Sequence, residues 1–210
     1  PVVRFLWPTK IVNKKEHFDS MGGGIVICNH YRIQDTLIAA TRLYKKELHV
    51  LAKAEAFKNK AKNKFLRKMG AIPVKRGEPD IEATKAVLKV LKDDKKLAIY
   101  PEGTRNLEGT EEMREFKQGC ARFALKTKKP ILPMIYFKKH KLFHKNFLYI
   151  GEMFTLEEFY EDKSQDAFER ATQKVYYKMV ETRKLCNEYV KEHSPKIYAK
   201  HEKELLESKK

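Results

Sequence analysis

The sequence predicts a single α/β domain with a central, mostly parallel or mixed sheet flanked by helices. From residue 24 onward, short apolar runs alternate with stretches of helical periodicity, the pattern of strands joined by crossover helices. The 210 residues, 42% of them hydrophobic, suffice for one core of ordinary size. No internal repeat, low-complexity tract or linker interrupts the pattern.

The elements follow in order. Gly24-Ile25-Val26-Ile27-Cys28 is a buried-strand run after a triple-glycine turn. Across residues 32–44, Leu37, Ile38, Ala40 and Leu43 recur at helical spacing, which puts His30 and Asp35 around a helix start. Residues 49–52 form a second strand. Phe57, Ala61, Phe65 and Met69 then repeat every four residues among lysines, a basic amphipathic helix. Its apolar stripe is expected to pack on the core, with contact to an anionic membrane as the sharper reading. Residues 71–74 are a third strand, and Ile81, Thr84, Leu88 and Leu91 mark a helix between Pro79 and Asp93-Asp94. Strands are expected at 97–100, 131–137 and 147–150, with a helix at 116–125. From Asp166 one long helical pattern runs to His193 and is broken by Pro195.

Three segments result: 1–23 as an N-terminal segment, 24–193 as the domain, and 194–210 as a charged C-terminal tail, a loosely packed helix. The opening Pro1-Val2-Val3-Arg4-Phe5-Leu6-Trp7 has no Met and reads as the end of a longer interfacial or membrane anchor. No apolar run approaches the roughly 20 residues of a membrane span.

The chain is strongly basic, with 45 Lys and Arg against 28 Asp and Glu for a net charge of +17. Such a field favours anionic partners: nucleic acid, anionic lipid or an acidic protein. It is uneven, since residues 42–68 hold ten basic side chains and two acids, and 122–145 hold eight and none. Cys28, Cys120 and Cys186 are far apart, with no CxxC or neighbouring His pattern. This predicts neither a disulfide framework nor a zinc site, and a reducing, cytosol-facing location.

The chemistry gathers in three stretches: Asn29-His30-Tyr31-Arg32-Ile33-Gln34-Asp35, Gly70-Ala71-Ile72-Pro73-Val74-Lys75-Arg76, and Tyr100-Pro101-Glu102-Gly103-Thr104-Arg105. A neutral imidazole takes a hydroxyl proton near pH 7, and a carboxylate partner stabilises the imidazolium that forms. Arg76 and Arg105 each follow a strand and a turn, and guanidinium binds phosphate through bidentate, charge-assisted bonds. Glu102 is placed to meet a hydroxyl or orient an arginine, beside Gly103 in a turn. The sequence has no G-x-S-x-G elbow, no Gly-Lys-Ser/Thr phosphate loop and no evident protein nucleophile. The nucleophile is then expected to be a substrate hydroxyl.

These stretches resemble the ordered motif set of the glycerolipid acyltransferase family that includes the 1-acylglycerol-3-phosphate acyltransferases. NHYRIQD is similar to the family's N-H-x4-D motif, residues 70–76 to its second block, and Tyr100-Pro101-Glu102-Gly103-Thr104-Arg105 to its third. Ile131-Leu132-Pro133-Met134 is similar to its fourth, and Ala52-Lys53-Ala54-Glu55 to an intervening Ala-Lys-x-Glu. Lys75 and Asn106 depart from the pattern, where an acidic residue and a serine often stand, and they leave the acceptor open.

The resemblance implies acyl transfer from a thioester, on coenzyme A or acyl carrier protein, to the free hydroxyl of 1-acylglycerol-3-phosphate, giving phosphatidic acid. It implies His30 as general base, Asp35 as its partner, and Arg76, Glu102, Gly103, Thr104 and Arg105 around the glycerol phosphate. Lys53 is a further candidate near the phosphate or the developing oxyanion. No metal or bound cofactor is implied. The expected partners are an anionic membrane surface, a lysophospholipid and the acyl carrier, with no nucleic acid, and the expected location is the cytoplasmic face of a membrane. The alternatives are the same chemistry on glycerol-3-phosphate, another lysophospholipid or an amine lipid, and, remotely, a nonenzymatic basic module binding lipid or nucleic acid.

Overall fold

The computed structural model describes residues 2–43, 48–75, 77 and 79–208. Among these, seven strands form one sheet in the order β1 (Thr9–Val12), β7 (Asn146–Ile150), β6 (Ile131–Tyr136), β2 (Gly24–Cys28), β5 (Lys96–Ile99), β3 (Leu48–Lys53), β4 (Ala71–Val74). Neighbours run parallel except β6 with β7, so the sheet is mixed.

β2 lies between β5 and β6, and all five of its residues are buried. A strand covered on both faces carries no polar alternation, hence the unbroken apolar run at 24–28. Its side chains still point alternately to opposite faces. Ile25 and Ile27 join one core, closed by Val87 and Leu91 of α5 (Ile81–Lys92), Ala121 of α6 (Gly119–Thr127), and Val175 and Met179 of α7 (Ala167–His193). Val26 and Cys28 join the other, closed by Phe18 of α2 (Lys15–Ser20) and Ile38 of α3 (Ile33–Leu43). Burying each large aliphatic or aromatic side chain contributes about 1.5–3 kcal/mol, so the two cores fix both helical layers against the sheet. The triple glycine has a local cause as well: a Cβ on Gly23 would stand 2.7 Å from the backbone of Asp94.

Several expectations are amended. Residues 1–23, set apart by sequence, contribute the edge strand β1, which pairs with β7, and two short helices, α1 (Val2–Leu6) and α2. The basic helix is shorter than its pattern: α4 spans Lys60–Lys68, while Phe57 lies in a 3-10 turn at Ala54–Phe57. Phe57 is buried, but no residue of α4 is, and Phe65 is 53% exposed, so the core does not absorb that stripe. Phe116 precedes α6 instead of starting it. Pro195 ends one helix and opens the next, α8 (Pro195–Ser208), since its missing N–H costs nothing in a first turn. α8 packs back on the body, with the buried His201 ring 4.8 Å from Phe137. The expected helix end at Tyr44 lies outside the described residues.

Strands β4, β3, β5, β2 and β6 are mutually parallel, so the segments leaving their carboxyl ends gather along one edge of the sheet. Open α/β sheets bind ligands at that edge.

Candidate active site

His30 stands two residues beyond β2, on the turn into α3. Asp35, third residue of that helix, folds back over the turn. Its Oδ2 accepts the backbone N–H groups of Tyr31 and Arg32, each at 2.7 Å. A carboxylate at this helix position reaches back to the capping residue as a matter of geometry. The same Oδ2 lies 3.2 Å from His30 Nδ1. The spacing of five therefore joins base and carboxylate through one helix start. Because a carboxylate only accepts, the proton between them sits on Nδ1. His30 Nε2 has no hydrogen-bond partner among the described residues, and the His30 side chain is 14% exposed.

Asp35 itself is fully buried. Burial pushes its carboxyl pKa up, but hydrogen bonds from His140, His30 and the Arg32 N–H outweigh burial and leave it below the ordinary aspartate value. At neutral pH it is therefore ionised.

β5 brings the third stretch alongside. Tyr100 stacks on the His30 ring with centroids 3.9 Å apart and planes at 17°, and its hydroxyl meets Thr36 Oγ1 at 2.8 Å. The Asn106 N–H donates to the His30 carbonyl at 2.7 Å. Between them, Gly103 turns the chain at φ +68°, a conformation that disfavours side chains. Glu102 is buried, and burial raises its pKa, partly offset by the Arg114 N–H 3.3 Å from Oε2. Cys28, though close in sequence to His30, is buried with its thiol pKa pushed well up by burial, so it stays protonated.

Beside the His30–Asp35 pair lies a pocket of about 450 Å³ lined by Arg32, Ile33, Gln34, Arg105, Leu107 and Lys139. Its lining holds three cationic side chains and no carboxylate. Burial first, then the neighbouring charges of Arg32 and Lys141, lower the Lys139 pKa.

The structure thus brings together His30, Asp35, Glu102, Gly103 and Arg105 of the residues expected from sequence. Thr104 is exposed on the same turn, and Lys53 is exposed at the carboxyl end of β3. Arg76 lies outside the described residues. The sequence reading missed His140, which meets the other Asp35 oxygen, Oδ1, at 3.1 Å. It also missed Arg32 and Lys139 in the pocket. Arg32 was legible as a cation inside the first motif, whereas His140 sits in a lysine-rich stretch with no spacing to mark it. Among the described residues, no group of three or more His, Cys, Asp or Glu side chains is gathered to hold a metal ion.

The acyltransferase family model matches residues 10–137, more than half of the chain. This chain belongs to the acyltransferase family. The family member is similar to curated relatives bearing the name 1-acyl-sn-glycerol-3-phosphate acyltransferase. The one from Bacillus subtilis is 31% identical over 125 residues, covering 60% of this chain and 61% of the relative. That from Borreliella burgdorferi is 32% identical over 141 residues, covering 66% and 55%. This acyltransferase-family chain therefore spans about three fifths of the length of the curated relatives it matches. The crystal structure of the 1-acyl-sn-glycerophosphate (LPA) acyltransferase PlsC from Thermotoga maritima shares the fold. Its TM-score is 0.61 at 22% identity, over 84% of this chain and 71% of that one.

Proposed function

We propose that the chain transfers a fatty acyl group from a thioester, on coenzyme A or acyl carrier protein, to the free hydroxyl of 1-acylglycerol-3-phosphate. The product is phosphatidic acid. His30 Nε2 takes the hydroxyl proton while the oxygen attacks the thioester carbonyl. The tetrahedral intermediate collapses, the C–S bond breaks, and the imidazolium returns the proton to the leaving thiolate, giving an ester and a free thiol. Asp35 holds the Nδ1 proton and stabilises the imidazolium. Acid–base assistance of this kind supplies on the order of 10² to 10⁴ in rate; the rest comes from holding two substrates together.

The observation that carries this reading is the His30–Asp35 pair, 3.2 Å apart, beside a cationic pocket free of carboxylates. Arg105, Arg32 and Lys139 take the acceptor phosphate there. Glu102, Gly103 and Thr104 shape the turn that carries Arg105, and Lys53 stands at the carboxyl end of β3; Arg76, outside the described residues, is assigned to the phosphate by its motif alone. The relatives named for 1-acyl-sn-glycerol-3-phosphate support the choice of acceptor.

The enzyme meets its lipid at an anionic membrane surface on the cytoplasmic side. Supporting this are the net charge of +17 and a set of exposed apolar side chains. Phe5 of α1 and Phe143 stack edge to face at 5.5 Å, 72% and 61% exposed, with Val2 and Leu142 exposed beside them. Ile33 and Leu107 carry exposed apolar surface to the pocket rim. Among the described residues no helix is long and apolar enough to cross a membrane. Three free, buried cysteines fit a reducing compartment.

The test is transfer of labelled acyl from acyl-coenzyme A, and separately from acyl carrier protein, to 1-acylglycerol-3-phosphate on anionic vesicles, with His30→Ala alongside. Phosphatidic acid from the wild type and none from the variant is expected. Equal product from both would remove His30 from the chemistry.

A further inference from the structure

The two oxygens of the Asp35 carboxylate are held very differently. Oδ2 carries three contacts, from the Tyr31 and Arg32 N–H groups and from His30 Nδ1. Oδ1 faces a single side chain, His140, whose Nδ1 lies 3.1 Å away. Both side chains of this second contact are fully buried. The far nitrogen of His140, Nε2, lies 3.2 Å from Thr9 Oγ1, and Thr9 is itself buried at the start of edge strand β1.

The proton placement follows from the donor inventory. A carboxylate only accepts, so His140 donates from Nδ1 to Oδ1, and neutral imidazole then leaves Nε2 as an acceptor. The Thr9 hydroxyl supplies that bond, with the Trp7 carbonyl 3.1 Å away as its competing acceptor. Tyr136 packs edge to face on the His140 ring at 4.8 Å, and its hydroxyl donates to the Asp35 carbonyl at 2.7 Å. The imidazole is thus fixed in plane, and the aspartate is fixed through both its main chain and its side chain. Thr9 and His140 fall just outside residues 10–137, the part of the chain matched by the family model.

We propose that His140 is a positioning residue for the base: it pins Oδ1 so that Oδ2 stays directed at His30 Nδ1, with Thr9 holding the His140 tautomer. The inference rests on the reading of His30 as general base. Without His140, Oδ1 is a buried oxygen with no donor, and the carboxylate relieves this by rotating or by taking up a proton. Either change weakens the bond that orients His30, while removing none of the pocket's cationic side chains.

The test compares His140→Leu, His140→Asn and Thr9→Val with wild type and His30→Ala, measuring thermal stability, kcat and KM for 1-acylglycerol-3-phosphate. Leu keeps volume without a donor, and the Asn amide places an N–H close to the position of Nδ1. Leu should lower kcat by on the order of 10- to 100-fold, part of what acid–base assistance supplies, with KM within about twofold. Asn should recover most of that loss. Thr9→Val should lower kcat by roughly three-fold with KM unchanged, since one neutral hydrogen bond two steps from the base is lost. A wild-type kcat in the Leu variant overturns the proposal, as does an Asn variant as impaired as Leu. Should the Leu variant fail to fold, Asn at near wild-type kcat with reduced kcat in Thr9→Val still supports the proposal, and an unchanged Thr9→Val sinks it. Loss of the base reading itself is recognised separately, as full activity in His30→Ala.

Discussion

Arg183, from the middle of α7, donates through Nη2 to the Tyr31 hydroxyl at 3.0 Å, tying the last third of the chain to the turn that carries His30. Its Nη1 donates to the carbonyls of Tyr136 and Phe137 at 3.1 and 2.8 Å, so one buried guanidinium spans the end of β6 and the His30 turn. Replacing it by Met takes a donor from the Phe137 carbonyl and a partner from the Tyr31 hydroxyl, while the Tyr136 carbonyl keeps the Asn29 amide at 3.1 Å. Arg183→Met should cost about 2–4 kcal/mol, given the usual penalty for stranded buried groups, and lower Tm by roughly 5–15 °C for a domain of this size. Calorimetry checks it. A Tm within about 2 °C of wild type would mean that water or a rotated neighbour takes over these bonds.

The Asp35 carboxyl lies below its ordinary pKa when folded, so it stabilises the fold above the unfolded value, near pH 3.9. That contribution is lost as the pH falls through the lower, folded value. Asp35→Asn should therefore be less stable than wild type at pH 7, and the gap should narrow below about pH 4. Denaturant titrations at pH 7, 5 and 3.5 measure it; a constant gap would mean the loss is steric. At pH 7 the same variant should lose on the order of 10² or more in kcat, because the His30 tautomer is no longer dictated.

Tyr100 meets His30 in two separable ways, through its ring and through a hydroxyl bonded to Thr36. Tyr100→Phe keeps the stack and loses only the hydroxyl contact, so kcat should fall by no more than about three-fold, the size of one net hydrogen bond. Tyr100→Leu frees one face of the imidazole and should lower kcat by roughly ten-fold, the order expected when orientation is relaxed. Equal effects from the two would place the role in the hydroxyl instead.

The pocket cations should act on binding. Arg32→Gln and Arg105→Gln each remove a charged donor, and a hydrogen bond to a charged group is worth about 1.5–3 kcal/mol. Each should raise KM for 1-acylglycerol-3-phosphate by roughly ten-fold or more, leaving kcat within a few-fold. Activity on monoacylglycerol, which has no phosphate, should not respond. If KM for both acceptors rises together, the pocket serves the donor.

The legible part of the site was the part written locally. His30 and Asp35 could be read because their contact is made within one helix start, and Glu102, Gly103 and Arg105 because they share one turn. The five mutually parallel strands were legible as apolar runs, and in β2 and β6 burial on both faces removes the alternation that would disguise them. β1 was not, because Thr9-Lys10-Ile11-Val12 is too short and mixed to signal a strand until β7, far along the chain, supplies its partner. His140 was hidden for the same reason. Its link to Asp35 spans 105 positions, and its neighbours Lys138, Lys139 and Lys141 make the stretch read as surface charge. The α4 stripe carried the right period but said nothing of whether a core or another surface would cover it.

The exposed pair Phe5 and Phe143 offers a test of membrane contact that leaves the fold alone. Both rings are mostly in solvent, so Phe5→Ser with Phe143→Ser removes little packing and Tm should hold. Seated at a lipid interface, the two rings would together bury enough apolar surface for about 2 kcal/mol, roughly a 30-fold change in partitioning. The double variant should therefore release from anionic vesicles in a sedimentation assay. Wild type should release more gradually as salt rises, because nearby lysines contribute about 1 kcal/mol each only within a Debye length of the surface. Activity on detergent-dispersed 1-acylglycerol-3-phosphate should survive in the double variant while activity on vesicles falls. Unchanged sedimentation would move the contact to another surface, with the lysine-rich, unburied face of α4 next to be tested.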